Sequence, residues 1–175
     1  VKLLLPHIEV VGLEELGQFE EIPETGETLD ENSALKAKFV WNKFGINCFA
    51  DDTGLEVEAL NGAPGVITAR YAGNERDNDA NLKLLLKNLQ GESNRKAQFR
   101  TIITLIINGS QTQFEGVVNG DIAETFSGTK GFGYDPIFKP NGYDLTFAEM
   151  SMKDKGAISH RGLAIKKLVD FLSNQ

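Results

Sequence analysis

Phe49-Ala50-Asp51-Asp52-Thr53-Gly54-Leu55 decides how the rest of the chain is read. Apolar residues run into two adjacent carboxylates, followed by a small hydroxyl residue and a glycine. That order predicts a buried strand whose end presents acids at the rim of a sheet, where open α/β sheets bind ligands and metals. A glycine there lets the backbone turn sharply and come close to a ligand. Carboxylates are the hard oxygen ligands that magnesium takes one or two at a time, with phosphates supplying further oxygens. The plainer alternative is a solvated acidic turn after a strand.

N-terminal to this stretch, Glu24-Thr25-Gly26 forms a loop before a helix expected from Asp30 as N-cap to Gly45 as terminator. Lys36 on that helix is either a solvated lysine or a phosphate ligand. Val1 to Pro6 reads as the tail of a helix stopped by proline, and Ile8, Val10 and Val11 as a short strand. Material preceding residue 1 is therefore expected.

C-terminal to the acids, Leu55 to Leu60 alternates as a strand and Asn61-Gly62 marks a turn leading to Arg70 and Tyr71. Leu82, Leu85, Leu86 and Leu89 stripe a helix capped by Asn78 or Asp79, for the core or an interface. Phe99–Ile107 and Gln113–Val118 flank Asn108-Gly109-Ser110 as a hairpin with a central, continuously apolar first arm. Gly128 to Pro136 is glycine-rich and carries Phe132, Tyr134 and Asp135. It is either a tight turn with a core phenylalanine or a platform on which a nucleobase stacks. Ser159 is a natural N-cap for the last helix, and His160 and Arg161 follow it, where side chains and amides meet anions or base edges. His160 alone reads equally as a hydrogen-bonded structural residue.

The 175 residues suit one domain, with 41% hydrophobic residues to fill its core. Eighteen basic residues against 25 acids give a net charge of −7, which argues against broad nucleic-acid binding. Any cations serving a phosphate substrate must then be focused in a cleft. Cys48 is the single cysteine and reads as a core thiol. With no secretory signal pattern and no apolar run of bilayer length, the expected setting is cytoplasmic, without membrane contact.

Taken in order, these stretches resemble the inosine/xanthosine triphosphate pyrophosphatase family. The matching residues are Glu24-Thr25-Gly26, Glu31-Asn32 with Lys36-Ala37, Phe49 to Leu55, Leu60 to Gly65, Ala69-Arg70-Tyr71, Gly131 to Phe138, Phe147 to Met150, and Ile158 to Gly162. The resemblance implies an α/β fold with an elongated mixed central sheet flanked by helices, two lobes around an active-site cleft, and a homodimer. It implies magnesium-dependent hydrolysis of ITP, dITP or XTP to the monophosphate and pyrophosphate. Asp52 matches the catalytic acid and metal ligand, Glu24 a second metal ligand, and Lys36 a phosphate contact. Thr53, Phe132, Gly133, Tyr134, Asp135, Lys155, His160 and Arg161 match the remaining substrate contacts. The family's opening strand and polar phosphate loop have no counterpart in residues 1–175. The chain is thus expected to be a single pyrophosphatase domain whose N-terminal strand and loop precede residue 1.

In the mechanism these matches imply, Glu24 and Asp52, with Asp51 as a possible third acid, hold magnesium. Asp52 activates water for attack at the α-phosphorus, and Lys36 offsets charge on the departing pyrophosphate. Phe132 stacks on the purine, while His160, Arg161 and amides near Ser159 donate to its 6-oxo group. A pyrimidine or modified-nucleotide pyrophosphatase and a non-hydrolysing nucleotide sensor are the alternatives. A two-carboxylate glycosidase fits poorly, since Asp51 and Asp52 point apart on a strand.

Overall fold

The structure, a computed structural model, describes residues 1–174. Helices α1 (Leu29–Phe44), α2 (Asn78–Asn88), α3 (Met152–Ile158) and α4 (His160–Ser173) accompany strands β1 (Cys48–Val57), β2 (Lys96–Ile107), β3 (Ser110–Ile122) and β4 (Phe138–Pro140). The sheet runs β1-β2-β3-β4, so the apolar β2 is internal as expected. Asn108 and Gly109 both adopt positive φ, 50° and 81°, which matches the twist of a two-residue hairpin between β2 and β3. The α/β class is as expected, with one difference in the sheet. All three strand pairings are antiparallel, so mixed pairing is absent among the described residues. Each strand pairs with its neighbour in sequence, and β2 and β3 are joined by too short a turn for a parallel crossover.

Alternation along β2 sorts the helices. Thr104 meets Ser33 of α1 through hydroxyls 2.6 Å apart, whereas Ile103 and Leu105 pack against Ala164 and Leu168 of α4. Successive strand residues face opposite ways, so α1 and α4 cover opposite faces of the sheet. A larger apolar cluster joins Leu55, Val57, Leu82, Leu85, Phe99 and Phe138. The two clusters occupy successive stretches of β2, which at 12 residues spans roughly 40 Å. Leu82, Leu85 and Leu89 belong to the larger cluster, so the leucine stripe of α2 is core.

Several local expectations change. β1 does not end at the acids but runs through them to Val57, and Glu58–Leu60 is a 3-10 turn. The outer edge of β1 is met by the following loop, where Val57 N donates to Ala63 O (3.1 Å) and Leu55 N to Thr68 Oγ1 (2.9 Å). Those bonds sustain extended backbone beyond the acids. The N-cap of α1 is Thr28, whose hydroxyl accepts from Glu31 N, and Asp30 instead pairs with Arg100 at 2.9 Å. Asp77, rather than Asn78 or Asp79, caps α2. Residues 1–11 form turns, with Leu4 N donating to Val1 O, and no strand. Cys48 is half-buried rather than core, its thiol donating to Ala37 O at 3.3 Å, and burial pushes the thiol pKa up.

Candidate active site

A cleft of about 610 Å³ opens where β1, the glycine-rich loop and the start of α4 converge. Lys36, Asp52, Thr53, Phe132, Gly133, Tyr134, Asp135, Lys155, His160 and Arg161 all line it. Glu24 joins them through Lys36. Another groove, about 450 Å³ and lined by Glu56, Glu58 and Asp121, contains none of the expected site residues.

On the α1 side of the sheet, Lys36 Nζ sits between two carboxylates, 2.7 Å from Glu24 Oε1 and 3.2 Å from Asp52 Oδ1. Helix α1 supplies the lysine and β1 the aspartate. The Glu24 loop is tied back to α1 by buried Asn32, whose Oδ1 accepts from Gly26 N at 2.8 Å. Burial pushes the Asp52 carboxyl up against the pull of Lys36, and the negative charge of Glu24 adds to the rise. Burial by itself lowers Lys36, but its bonds to Glu24 and Asp52 outweigh that and leave it raised. Lys36 is therefore the fixed cation of the group and Asp52 the acid whose proton affinity is tuned. Asp52 Oδ2 is buried without a hydrogen-bond partner.

That bare oxygen, beside a second carboxylate, fits a hard cation. The described residues contain no cluster of three or more His, Cys, Asp or Glu able to hold a metal. Glu24 and Asp52 alone match the one or two carboxylates with which magnesium joins a phosphate substrate. Asp51 is not part of this pair. It points to the α4 side, where its Oδ2 accepts from Arg161 Nη2 at 2.9 Å. Adjacent strand residues facing opposite ways separate the two acids.

Thr53 shares the α4 side, its hydroxyl 2.7 Å from that of fully buried Thr101. The glycine-rich loop excludes one of the two readings of Phe132. The ring is 67% exposed and is no core residue. Asp135 is turned inward, ion-paired to Lys155 and accepting from Phe132 N at 3.0 Å, so it shapes the loop from beneath. Gly131 is required there, since a Cβ on it would lie 1.9 Å from Asp135 Oδ2. Gly133 adopts φ +62°. Tyr134 is also buried and donates to Thr68 O at 2.8 Å, its phenol pKa raised by burial.

Ser159 caps α4 as expected, accepting from Gly162 N at 3.1 Å. Its own amide is already committed to Lys155 O at 2.8 Å, so the unpaired amides of the helix start are those of His160 and Arg161. The His160 ring stacks on Phe99 with centroids 4.6 Å apart and planes 14° from parallel. Burial, then the charges of Arg161 and Lys155, holds its pKa down at about 3. Burial thus favours the neutral imidazole, and its Nδ1 is buried without a partner.

Four supporting residues were not singled out from the sequence alone as site residues: Asn32, Phe99, Thr101 and Arg70. Asn32 and Arg70 both lie in the stretches that carry the family resemblance, and Arg70 Nη1 is 3.9 Å from Glu24 Oε2. Phe99 and Thr101 act on His160 and Thr53 across long sequence separations that no local pattern marks.

Residues 1–171 match the model of the Ham1 family. A dITP/XTP pyrophosphatase from Christiangramia forsetii is 51% identical over 174 residues, 99% of this chain and 92% of the relative. One from Porphyromonas gingivalis is 54% identical over 166 residues, 94% and 86% of the two chains. The solved Ham1 protein of Staphylococcus aureus superposes with a TM-score of 0.94 at 41% identity, covering 99% of this chain and 91% of that one. The Ham1 protein of Coxiella burnetii gives a TM-score of 0.93 at 36% identity, with the same coverage.

Proposed function

The chain belongs to the Ham1 family, and from that premise we propose that it hydrolyses ITP, dITP or XTP to the monophosphate and pyrophosphate. The observation that carries the reading is the Glu24–Lys36–Asp52 arrangement, with Asp52, whose Oδ2 has no partner, lining one cleft with the exposed Phe132 and the start of α4. Relatives named dITP/XTP pyrophosphatase supply the substrate class.

Cleaving a phosphoanhydride is mostly positioning and charge neutralisation. Glu24 and Asp52 would hold magnesium, which supplies charge neutralisation on the phosphate oxygens when bound. Asp52, with its raised pKa, takes the proton from a water attacking the α-phosphorus. Lys36 lies within reach to offset the charge carried away by pyrophosphate. Phe132 stacks on the purine. The lone pair of His160 is assigned to Nδ1, because a buried acceptor without a partner costs less than an orphaned N–H. Nε2–H is then a donor, and with the Arg161 guanidinium and the two free amides it recognises the 6-oxo group. The 6-amino group of adenine would face donor to donor, a mismatch worth ~10⁴ or more in discrimination.

The reading also includes a homodimer, testable by light scattering, and a reducing cytoplasmic setting, which the single cysteine supports. No described helix is long and apolar enough to cross a membrane. Pyrophosphate release from ITP, XTP, ATP and UTP, with and without magnesium, tests the whole. Magnesium-dependent release from ITP and XTP over ATP is expected. Preference for UTP, or tight ITP binding without release, would overturn it.

A further inference from the structure

The start of α4 rests directly on the backbone of β3 at Gly116. A Cβ built there would lie 1.9 Å from the His160 carbonyl oxygen and 2.6 Å from Ala164 N. Both are backbone atoms, so no rotation of a side chain relieves the contact. Gly116 has no positive φ to explain its identity. A glycine inside a strand weakens it, and one reason to keep it is close approach of another backbone.

The row containing Gly116 gives that approach a role. Cross-strand pairing aligns Thr53, Thr101 and Gly116 on β1, β2 and β3. Directly opposed residues share a face, so Thr53 and the seat of α4 are on one side of one row. Two residues along β2 on the same face, Phe99 carries the His160 ring. The height of α4 above Gly116 therefore sets how His160 and Arg161 stand relative to Thr53. Neither strand nor helix yields easily, because β3 is paired along this row and Ala164 is buried against the sheet.

We infer that Gly116 is a specificity-positioning residue: its missing side chain seats the first turn of α4 on β3 at the height from which His160 and Arg161 read the base. The inference rests on the proposed function and deepens it. A methyl group at 116 needs ordinary contact of 3.4 Å or more where 1.9 Å is present. The helix start and its platform must then part by roughly 1.5 Å, and a misplacement of about 1 Å is enough to cost ~100-fold in a positioned reaction.

The test is Gly116→Ala, assayed for kcat and KM on ITP and ATP, with calorimetric binding of inorganic triphosphate as a base-free probe. Expected is a fall of about tenfold to a hundredfold in kcat/KM for ITP, carried mainly by KM. ATP turnover and triphosphate affinity stay within about twofold, so the ITP:ATP ratio collapses. A folded variant with the parent ratio overturns the inference. So do equal losses on ITP, ATP and triphosphate, which would mark a general structural role. Should Gly116→Ala not fold, Ala164→Ser decides, because Ala164 is fully buried where the same turn of α4 meets the sheet and a larger side chain there lifts that turn from Gly116. A lowered ratio supports positioning from below, and an unchanged ratio overturns it. If the parent protein prefers another nucleotide, the proposed function falls, and Gly116→Ala is scored by loss of that preference instead.

Discussion

Acidification should destabilise this protein through His160. In the folded state its pKa is held at about 3 by burial and by the charges of Arg161 and Lys155, against an ordinary value of 6.5. Between those values the unfolded chain binds a proton that the folded protein refuses. Stability from a neutral, stacked imidazole is therefore complete above pH 6.5 and is lost progressively as pH falls towards 3. At pH 4 the solution is 2.5 units below the unfolded value, since 6.5 − 4 = 2.5. At 1.36 kcal/mol per unit the loss relative to pH 7 is about 3 kcal/mol. The raised pKa of Asp52 acts in the opposite sense, because acid relieves its burial. That contribution is common to the parent and a His160→Gln variant and cancels between them. Urea unfolding of both proteins at pH 7 and pH 4 provides the comparison. The parent should lose about 3 kcal/mol more than the variant over that interval, whatever their relative stability at pH 7. Loss of the same stability by both, within about 0.5 kcal/mol, would refute a buried neutral histidine.

Asp52→Asn should lower pyrophosphate release from ITP by ~100-fold or more while thermal unfolding stays cooperative, and near-parent turnover would remove Asp52 as the base. Arg161→Ala should reduce the preference for ITP over ATP, and an unchanged ratio would remove it from base reading. Asp51→Asn should shift the same ratio less, because its pair with Arg161 is half-exposed. The double variant should match Arg161→Ala alone, and additive losses would give Asp51 a separate role.

Most of the residues that line the cleft were legible in the sequence, but the partners that hold them were only partly so. The hairpin at Asn108-Gly109 and the cap at Ser159 are local chemistry, and both are found as read. The divergence of Asp51 from Asp52 follows from strand alternation once β1 is known to continue through them. That continuation is tertiary, since it depends on bonds from Leu55 and Val57 to a loop that returns along the strand edge. Thr28 caps α1 by local chemistry, a Thr-x-x-Glu box in which its hydroxyl accepts from Glu31 N and Glu31 Oε2 accepts from Glu27 N, whereas the pairing of Asp30 with Arg100, some 70 residues away, is tertiary. The same holds for Phe99 under His160 and for Thr101 behind Thr53. Neither pairing leaves a periodic or compositional trace, because register across a sheet is set by the whole assembly. The inward turn of Asp135 is likewise decided by Lys155 from another segment.

Hydrolysis of ITP in ¹⁸O-labelled water tests the central claim most directly, because it reports which phosphorus is attacked as well as which base is accepted. Asp52 acting on water at the α-phosphorus predicts label in the monophosphate, unlabelled pyrophosphate, and little turnover of ATP under the same conditions. Label in pyrophosphate, release of inorganic phosphate, or equal turnover of ATP would contradict the account.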